Sequence, residues 1–218
     1  MTAITKVGIG LASCAGVTGT GIVGVHYHSV ETIGSKIKNS VLGIDKDFDD
    51  AWSDQFKKLE QESEITGSLK TIKDKYKGNN KEGGQAVKRW CQRVYESTYK
   101  SKLMGPNEDY LKNAKKFCIL TLSERLSNAI QSSDKILSFE NNTDESSYKS
   151  NYDKIKSHDD NTMGALPKEL SDLRNHQDQS STKWNVIQSF CKKKIPTPFT
   201  NMDDFKIVKK YCTKDSST

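Results

Sequence analysis

The sequence predicts an all-α fold, in which an N-terminal transmembrane or signal-anchor helix precedes a helical body made of two similar units. Three observations support this prediction. The stretch Val7–Val25 contains no charged residue, aromatic and apolar residues of the remaining chain recur at helical spacing, and the alternating pattern of a half-buried strand is absent. With 218 residues, the chain keeps enough length after the apolar stretch for one compact domain or two small ones.

The apolar stretch is long enough to cross a bilayer once. Its nineteen residues span about 28 Å as a helix, close to the ~30 Å thickness of the hydrocarbon core. Small residues recur every four positions on one face, which allows self-association of two such helices. We therefore expect residues 1–28 to form a single-pass anchor. Its representative residues are Val7, Leu11, Ala12, Gly16, Thr20, Gly24 and Val25.

Two other interpretations of this segment stay open. Leu11-Ala12-Ser13-Cys14 has the small-residue form that precedes a lipidated cysteine in bacterial lipoproteins, although the apolar run continues well past Cys14. Alternatively, the segment is cleaved, buried or disordered. A nucleotide-binding glycine loop is disfavoured, because the glycine spacing fits neither the dinucleotide nor the P-loop motif.

The charge distribution argues against nucleic-acid binding. The chain has a net charge of +6 and 28% charged residues. Lysines are interleaved with aspartates and glutamates along the whole chain, which is typical of a solvated surface and not of a basic binding face. We therefore expect no nucleic acid as a partner. The apolar stretch and the internal duplication described next indicate a membrane and a host or membrane protein as partners instead.

The body contains an internal duplication. One segment places two aromatic residues and an aliphatic residue at helical positions i, i+4 and i+7, and two further segments carry an aromatic residue directly before a cysteine. All three recur later in the same order and at nearly constant offset. The matching segments are 51–59 with 147–155, 85–93 with 183–193, and 109–118 with 204–212.

The duplication divides the body into two units. We expect a stalk at 29–44, a first helical unit at 45–140, a linker at 141–147 and a second helical unit at 148–218. Each unit is expected to contain an aromatic helix, a polar connection and two helices with an aromatic–cysteine pair. The aromatic side chains lie on apolar helical faces and are expected to form the core. They are Trp52, Phe56, Trp90, Phe117, Tyr148, Tyr152, Trp184, Phe190, Phe205 and Tyr211.

The four cysteines of the body lie on these apolar faces, two in each unit. A cysteine there is either a small buried hydrophobe or half of a disulfide between helices. Two cysteines per unit favour pairing if the body faces an oxidising exterior, and the simplest of three connectivities joins Cys91 to Cys118 and Cys191 to Cys212. Zinc is disfavoured, because no Cys-x-x-Cys occurs.

The sequence lacks the common catalytic motifs. Neither Gly-x-Ser-x-Gly nor His-Glu-x-x-His occurs, and His158 and His176 lie in polar stretches with no nucleophile motif beside them. His26 and His28 are best interpreted as polar residues at the membrane edge. We therefore expect no catalytic residues, no cofactor, no metal site and no enzymatic activity.

The layout resembles the large paralogous families of uncharacterised proteins in haemotropic mycoplasmas. The resemblance rests on the Gly-rich apolar N-terminus, a short stalk, and units marked by aromatic–cysteine pairs such as Trp90-Cys91. The chain departs from the family in Phe117-Cys118 and Tyr211-Cys212, where Trp-Cys is common. The resemblance implies a membrane-anchored or exported protein displayed towards a host, with no established activity.

Two functional hypotheses follow. In the first, the body is extracellular and serves in host interaction or antigenic variation. In the alternative, the body faces the cytoplasm, keeps its cysteines reduced and acts as a membrane scaffold that binds other proteins. Positive charges near the anchor hardly separate them, because Lys6 on one side opposes Lys36 and Lys38 on the other.

Removal of residues 1–28 is expected to yield a soluble, predominantly helical protein, since only the apolar stretch requires lipid. Circular dichroism and partitioning into liposomes measure this. A strand-dominated spectrum, or a truncated chain that still enters the membrane fraction, would contradict it.

Overall fold

A computed structural model describes residues 30–101, 105–131, 134–140, 142–176 and 179–214. The described chain is mostly helical, in agreement with the predicted all-α class, and its strands are only two or three residues long. The predicted anchor lies outside the described residues. Among those that are described, no helix is long and apolar enough to cross a bilayer.

The elements up to Cys118 form a first group. They are β1 (Glu31–Thr32), α1 (Ile33–Ile37), α2 (Asp49–Glu60) after a short 3-10 turn, α3 (Gly67–Lys75), α4 (Asn80–Glu96), β2 (Thr98–Lys100) and α5 (Glu108–Phe117).

The elements after this cysteine form a second group. They are α6 (Leu122–Ala129), β3 (Lys135–Ile136), α7 (Glu145–Asp153), α8 (Asp160–Met163), α9 (Lys168–Ser171), α10 (Ser180–Lys194), α11 (Met202–Cys212) and β4 (Thr213–Lys214).

The helices α1 and α6 begin with the same local structure. The hydroxyl oxygen of Thr32 accepts a hydrogen bond from Ser35 N at 3.2 Å, and that of Thr121 accepts one from Glu124 N at 3.1 Å. These bonds satisfy backbone donors that a helix N-terminus leaves unpaired. A threonine that caps a short helix therefore opens both halves of the body.

The same two helices make equivalent contacts with the rest of their halves. Ile33 N donates to Ser97 O at 2.9 Å, and Leu122 N donates to Thr197 O at 2.9 Å. The first bond reaches the connection from α4 to α5, and the second reaches the connection from α10 to α11. We define residues 31–118 as the first repeat and residues 120–214 as the second repeat.

These boundaries differ from the predicted division. The stalk predicted at 29–44 contains α1 and belongs to the first repeat, and the end of the unit predicted at 45–140 contains α6 and belongs to the second. The predicted linker 141–147 lies inside the second repeat. There Asp144 is buried and accepts hydrogen bonds from Ser138 N at 2.8 Å and Lys135 Nζ at 2.7 Å. Although burial acts to raise the pKa of Asp144, these bonds lower it on balance.

Extended segments before α2 and α7 repeat a further pair of bonds. Trp52 Nε1 donates to Gly43 O at 2.8 Å, and the hydroxyl of Tyr148 donates to Ser138 O at 3.2 Å. A buried indole or phenol needs a partner for its polar group. The first aromatic residue of each repeat thus packs in the core and also fixes the chain that precedes its helix.

The two repeats share one hydrophobic core. All ten aromatic side chains that the sequence assigns to the core are buried. The ring of Phe48 in the first repeat lies 4.9 Å from that of Phe199 in the second, measured between centroids. Arg125 of α6 binds the buried Asp54 of α2 at 3.0 Å across the same boundary.

One pair of corresponding aromatic residues differs in exposure between the two repeats. Tyr99 of the first repeat corresponds to Phe199 of the second, because Thr98 pairs with Thr32 as Pro198 pairs with Thr121. Phe199 is 1% exposed. Tyr99 is half-buried, and its hydroxyl donates to Glu108 at 2.6 Å.

Glycines allow α2 and α4 to approach closely. A Cβ atom at Gly84 would lie 2.7 Å from Ser53 N, and one at Gly83 would lie 2.4 Å from the ring of Phe56. Counting from the paired cysteines of α4 and α10, Gly84 corresponds to Trp184, which stacks on Tyr148 at 6.1 Å. In the first repeat, α4 therefore presents a glycine to the backbone of α2. In the second repeat, α10 presents the ring of Trp184 to Tyr148 of α7 instead.

Gly84→Ala is expected to destabilise the protein by about 1–3 kcal/mol, because the added methyl group meets the backbone of α2. A loss of stability would be informative, because alanine in a helix interior is otherwise favoured over glycine by about 1 kcal/mol. Urea unfolding measures the change. Gly105→Ala is the control, because nothing lies within 4 Å of a Cβ atom there. Equal stability of the two variants would contradict the close approach.

Candidate functional site

One disulfide joins the long helix of each repeat to the end of its last helix. Cys91 of α4 is bonded to Cys118, and Cys191 of α10 is bonded to Cys212, with Cα–Cα distances of 5.7 and 5.5 Å. All four cysteines are 0% exposed. This is the simplest of the connectivities that the sequence allows, with one bridge inside each repeat.

In each repeat, a buried amide side chain binds the backbone next to the disulfide. Gln55 Nε2 donates to Ile119 O at 2.6 Å, and Asn151 Nδ2 donates to Tyr211 O and Thr213 O, both at 3.0 Å. Each amide therefore binds the carbonyl of the residue that follows the second cysteine of its repeat. Gln55 and Asn151 are 0% and 3% exposed.

Sequence reasoning missed these two amides, although a signal was present. Gln55 and Asn151 each directly precede the second aromatic residue of their helix and share its offset of 96 positions. A polar residue conserved in kind between the two copies, beside the apolar stripe, indicates a buried hydrogen bond. The neighbouring aromatic residues are the stronger signal.

His158 takes part in a buried network in the second repeat. Its Nδ1 lies 3.0 Å from the hydroxyl of Tyr211, and its Nε2 lies 2.9 Å from Gly164 O. Because a carbonyl only accepts, Nε2 carries the proton and Nδ1 accepts from Tyr211 in the neutral ring. Burial raises the pKa of Tyr211. The imidazole is 0% exposed, so this network holds α8 against α11 and offers no access to a substrate.

A groove between α3 and α5 is a candidate for ligand binding. It consists of two adjoining clefts of about 200 and 300 Å³, which share Thr66, Asp109 and Asn113. Trp90 lies beneath the first cleft, where its Nε1 donates to Ser68 Oγ at 2.9 Å. Tyr110 lines the same cleft and is 41% exposed. Hereafter this surface is called the α3–α5 groove.

Charges of both signs surround the second cleft of the α3–α5 groove. Glu62 and Lys116 form an ion pair at 2.5 Å, and Glu64 and Lys112 also line the cleft. Surface ion pairs of this kind contribute little to stability. Their effect here is to leave the groove without a strong field of either sign.

The corresponding face of the second repeat is covered. Counting from the second cysteine of each repeat, Asn113 corresponds to Ile207, which is 2% exposed. A Cβ atom at Gly164 would lie 2.4 Å from Asp203 Cβ, and Lys206 Nζ donates to Thr162 O at 3.0 Å. The segment around α8 thus packs directly on α11.

The remaining predicted features fall outside these sites. Within the part of the chain that the structure describes, no three His, Cys, Asp or Glu side chains gather as metal ligands. His26, His28 and the anchor residues lie outside the described ranges.

Comparison with known proteins gives no relative. The chain matches no protein-family model, no curated protein and no solved structure.

Asn151→Ala is expected to destabilise the protein by about 1–3 kcal/mol, because two buried carbonyl groups lose their donor. The measurement is the free energy of unfolding in urea. Ser150→Ala, at the exposed neighbouring position, is the control and is expected to stay within about 0.5 kcal/mol of the parent. A loss of less than about 0.5 kcal/mol in Asn151→Ala would show that the amide is dispensable.

Proposed function

We propose that this chain is an exported, membrane-anchored binding protein whose helical body lies outside the cytoplasm and is displayed towards a host. The observation that carries the proposal is the pair of buried disulfides at equivalent positions of the two repeats. Disulfides form and persist in oxidising compartments and are rare in the cytosol. The uncharged stretch Val7–Val25 supplies the anchor in this proposal.

The stabilising effect of the bridges supports the same conclusion. They link residues 27 and 21 positions apart. Loops of this size contribute about 3 kcal/mol through the entropy of the unfolded chain, a large part of the 5–15 kcal/mol typical of a domain. A body that depends on such bridges is suited to an exterior where cellular reductants and chaperones are absent.

Binding is proposed instead of catalysis because of where the titratable groups lie. His158 and Tyr211 satisfy each other in a sealed interior. The α3–α5 groove, in contrast, is open and belongs to one repeat. Function commonly lies on surfaces and loops held by a rigid scaffold.

The cysteines distinguish this proposal from the cytoplasmic scaffold. Mass spectrometry of non-reduced, alkylated protein from its native cells is expected to find Cys91 linked to Cys118 and Cys191 linked to Cys212. Proteolysis of intact cells is expected to remove the body, while a cytosolic control protein stays intact. Four alkylated thiols together with a protected body would overturn the proposal in favour of the cytoplasm-facing scaffold.

A further inference from the structure

We propose that the α3–α5 groove binds a neutral saccharide. This inference deepens the proposed function by naming the class of ligand. It rests on that function because the body would encounter the sugar outside the cytoplasm. The chemistry of the groove carries the assignment itself.

Aromatic side chains form one wall of the groove. Tyr110 is 41% exposed beside the buried Trp90, so a large ring is presented to solvent at the mouth of the first cleft. An aromatic face packs well against apolar C–H groups. A pyranose ring is amphipathic, with a C–H face on one side and hydroxyl groups around its edge. Tyr110 suits the first of these features.

Polar groups that line the same cleft as this ring suit the second feature. The Asn113 amide both donates and accepts, the hydroxyls of Thr66 and Ser68 do the same, and Asp109 accepts. Sugar hydroxyls also donate and accept. The groove therefore offers the mixed partners that adjacent hydroxyl groups on one ring require.

The charges of the groove favour a neutral ligand. Glu62 is paired with Lys116, and Glu64, Asp109 and Lys112 also line the second cleft. A phosphate or sulfate group would meet the carboxylates, and a quaternary ammonium would meet the lysines. Three carboxylates and two lysines nearly balance, so electrostatics give little affinity for an ion.

The duplication supplies an internal comparison. Counting from the second cysteine, Tyr110 corresponds to Asp204, which pairs with Lys194 at 2.8 Å, and Asn113 corresponds to the buried Ile207. The second repeat makes the same helix and disulfide without an exposed ring or an amide at these positions. Tyr110 and Asn113 are therefore not required by the architecture of a repeat, which points to a role at the surface.

The size of the groove agrees with a short saccharide. The two clefts measure about 200 and 300 Å³ and share three lining residues. Small-molecule sites commonly measure about 300–1,000 Å³. The volume of the groove therefore suits a mono- or disaccharide, with one ring on Tyr110.

The test titrates the full-length protein with neutral sugars and follows Trp fluorescence and the amide shifts of α5. The probes are N-acetylglucosamine, galactose, lactose, maltose and chitobiose, with glucose 6-phosphate and choline as charged controls. At least one neutral sugar is expected to bind with a dissociation constant on the order of 1 mM, as for a shallow, open site. Disaccharides are expected to bind more tightly than their monosaccharides.

Variants then locate the site. Tyr110→Ala and Asn113→Ala are each expected to weaken binding about tenfold, while Tyr110→Phe keeps the ring and stays within about threefold. The control is Ile44→Ala, which removes a 51% exposed apolar side chain outside the groove and is expected to leave binding unchanged. Circular dichroism and intact disulfides confirm that each variant is folded.

Three results would overturn the assignment. They are no saturable binding of any neutral sugar up to about 50 mM, binding that Tyr110→Ala and Asn113→Ala leave unchanged, and tighter binding of a charged control. If any one of these occurs while the body is bridged and exposed on cells, the saccharide is wrong and the proposed function stands. If sugars bind but the native protein holds four free thiols, the groove assignment stands and export is wrong.

Discussion

The architecture of each repeat depends on one arrangement, in which a disulfide joins the C-terminal half of the long helix to the C-terminal end of the last helix. The last carbonyl groups of a helix lack intrahelical donors. Here they are met by chain segments from elsewhere: Leu42 N donates to Cys118 O at 3.0 Å, and Leu137 N donates to Cys212 O at 2.9 Å. Together with the amides of Gln55 and Asn151, these bonds bring the start of a repeat to its end. Lysines in the last turns, such as Lys116, also suit the negative ends of these helices.

The sequence predicted those parts of the fold that side-chain type determines directly. Large aromatic residues at helical spacing have to be buried, so Trp52 and Tyr148 identify their helices without a structure. The helices α1 and α6 were missed as repeated elements because each is short and carries no aromatic residue. Their equivalence depends on a threonine cap and one backbone bond, and neither is distinctive in a sequence. The α3–α5 groove could not be predicted, since it depends on where α3 packs and not on a motif.

Divergence between the repeats is concentrated where helices meet and not at the disulfides. Gly84 and Trp184 occupy corresponding positions, so one pair of helices touches through its backbones and the other through two stacked rings. The connections differ accordingly, with a single helix α3 in the first repeat and the shorter α8 and α9 in the second. A constant frame with variable connections is the way in which repeat proteins acquire separate surfaces without losing stability.

The pair Tyr99 and Phe199 gives the tandem a direction. Phe199 packs on Phe48 of the first repeat as well as on Phe205 of its own, whereas Tyr99 is half-buried and its hydroxyl is bound to Glu108. Reversing the order would expose a phenylalanine ring and would carry the Glu108 carboxylate into the joint, where burying an unpaired charge is costly. The tandem therefore has a front and a back, and its two copies are not interchangeable.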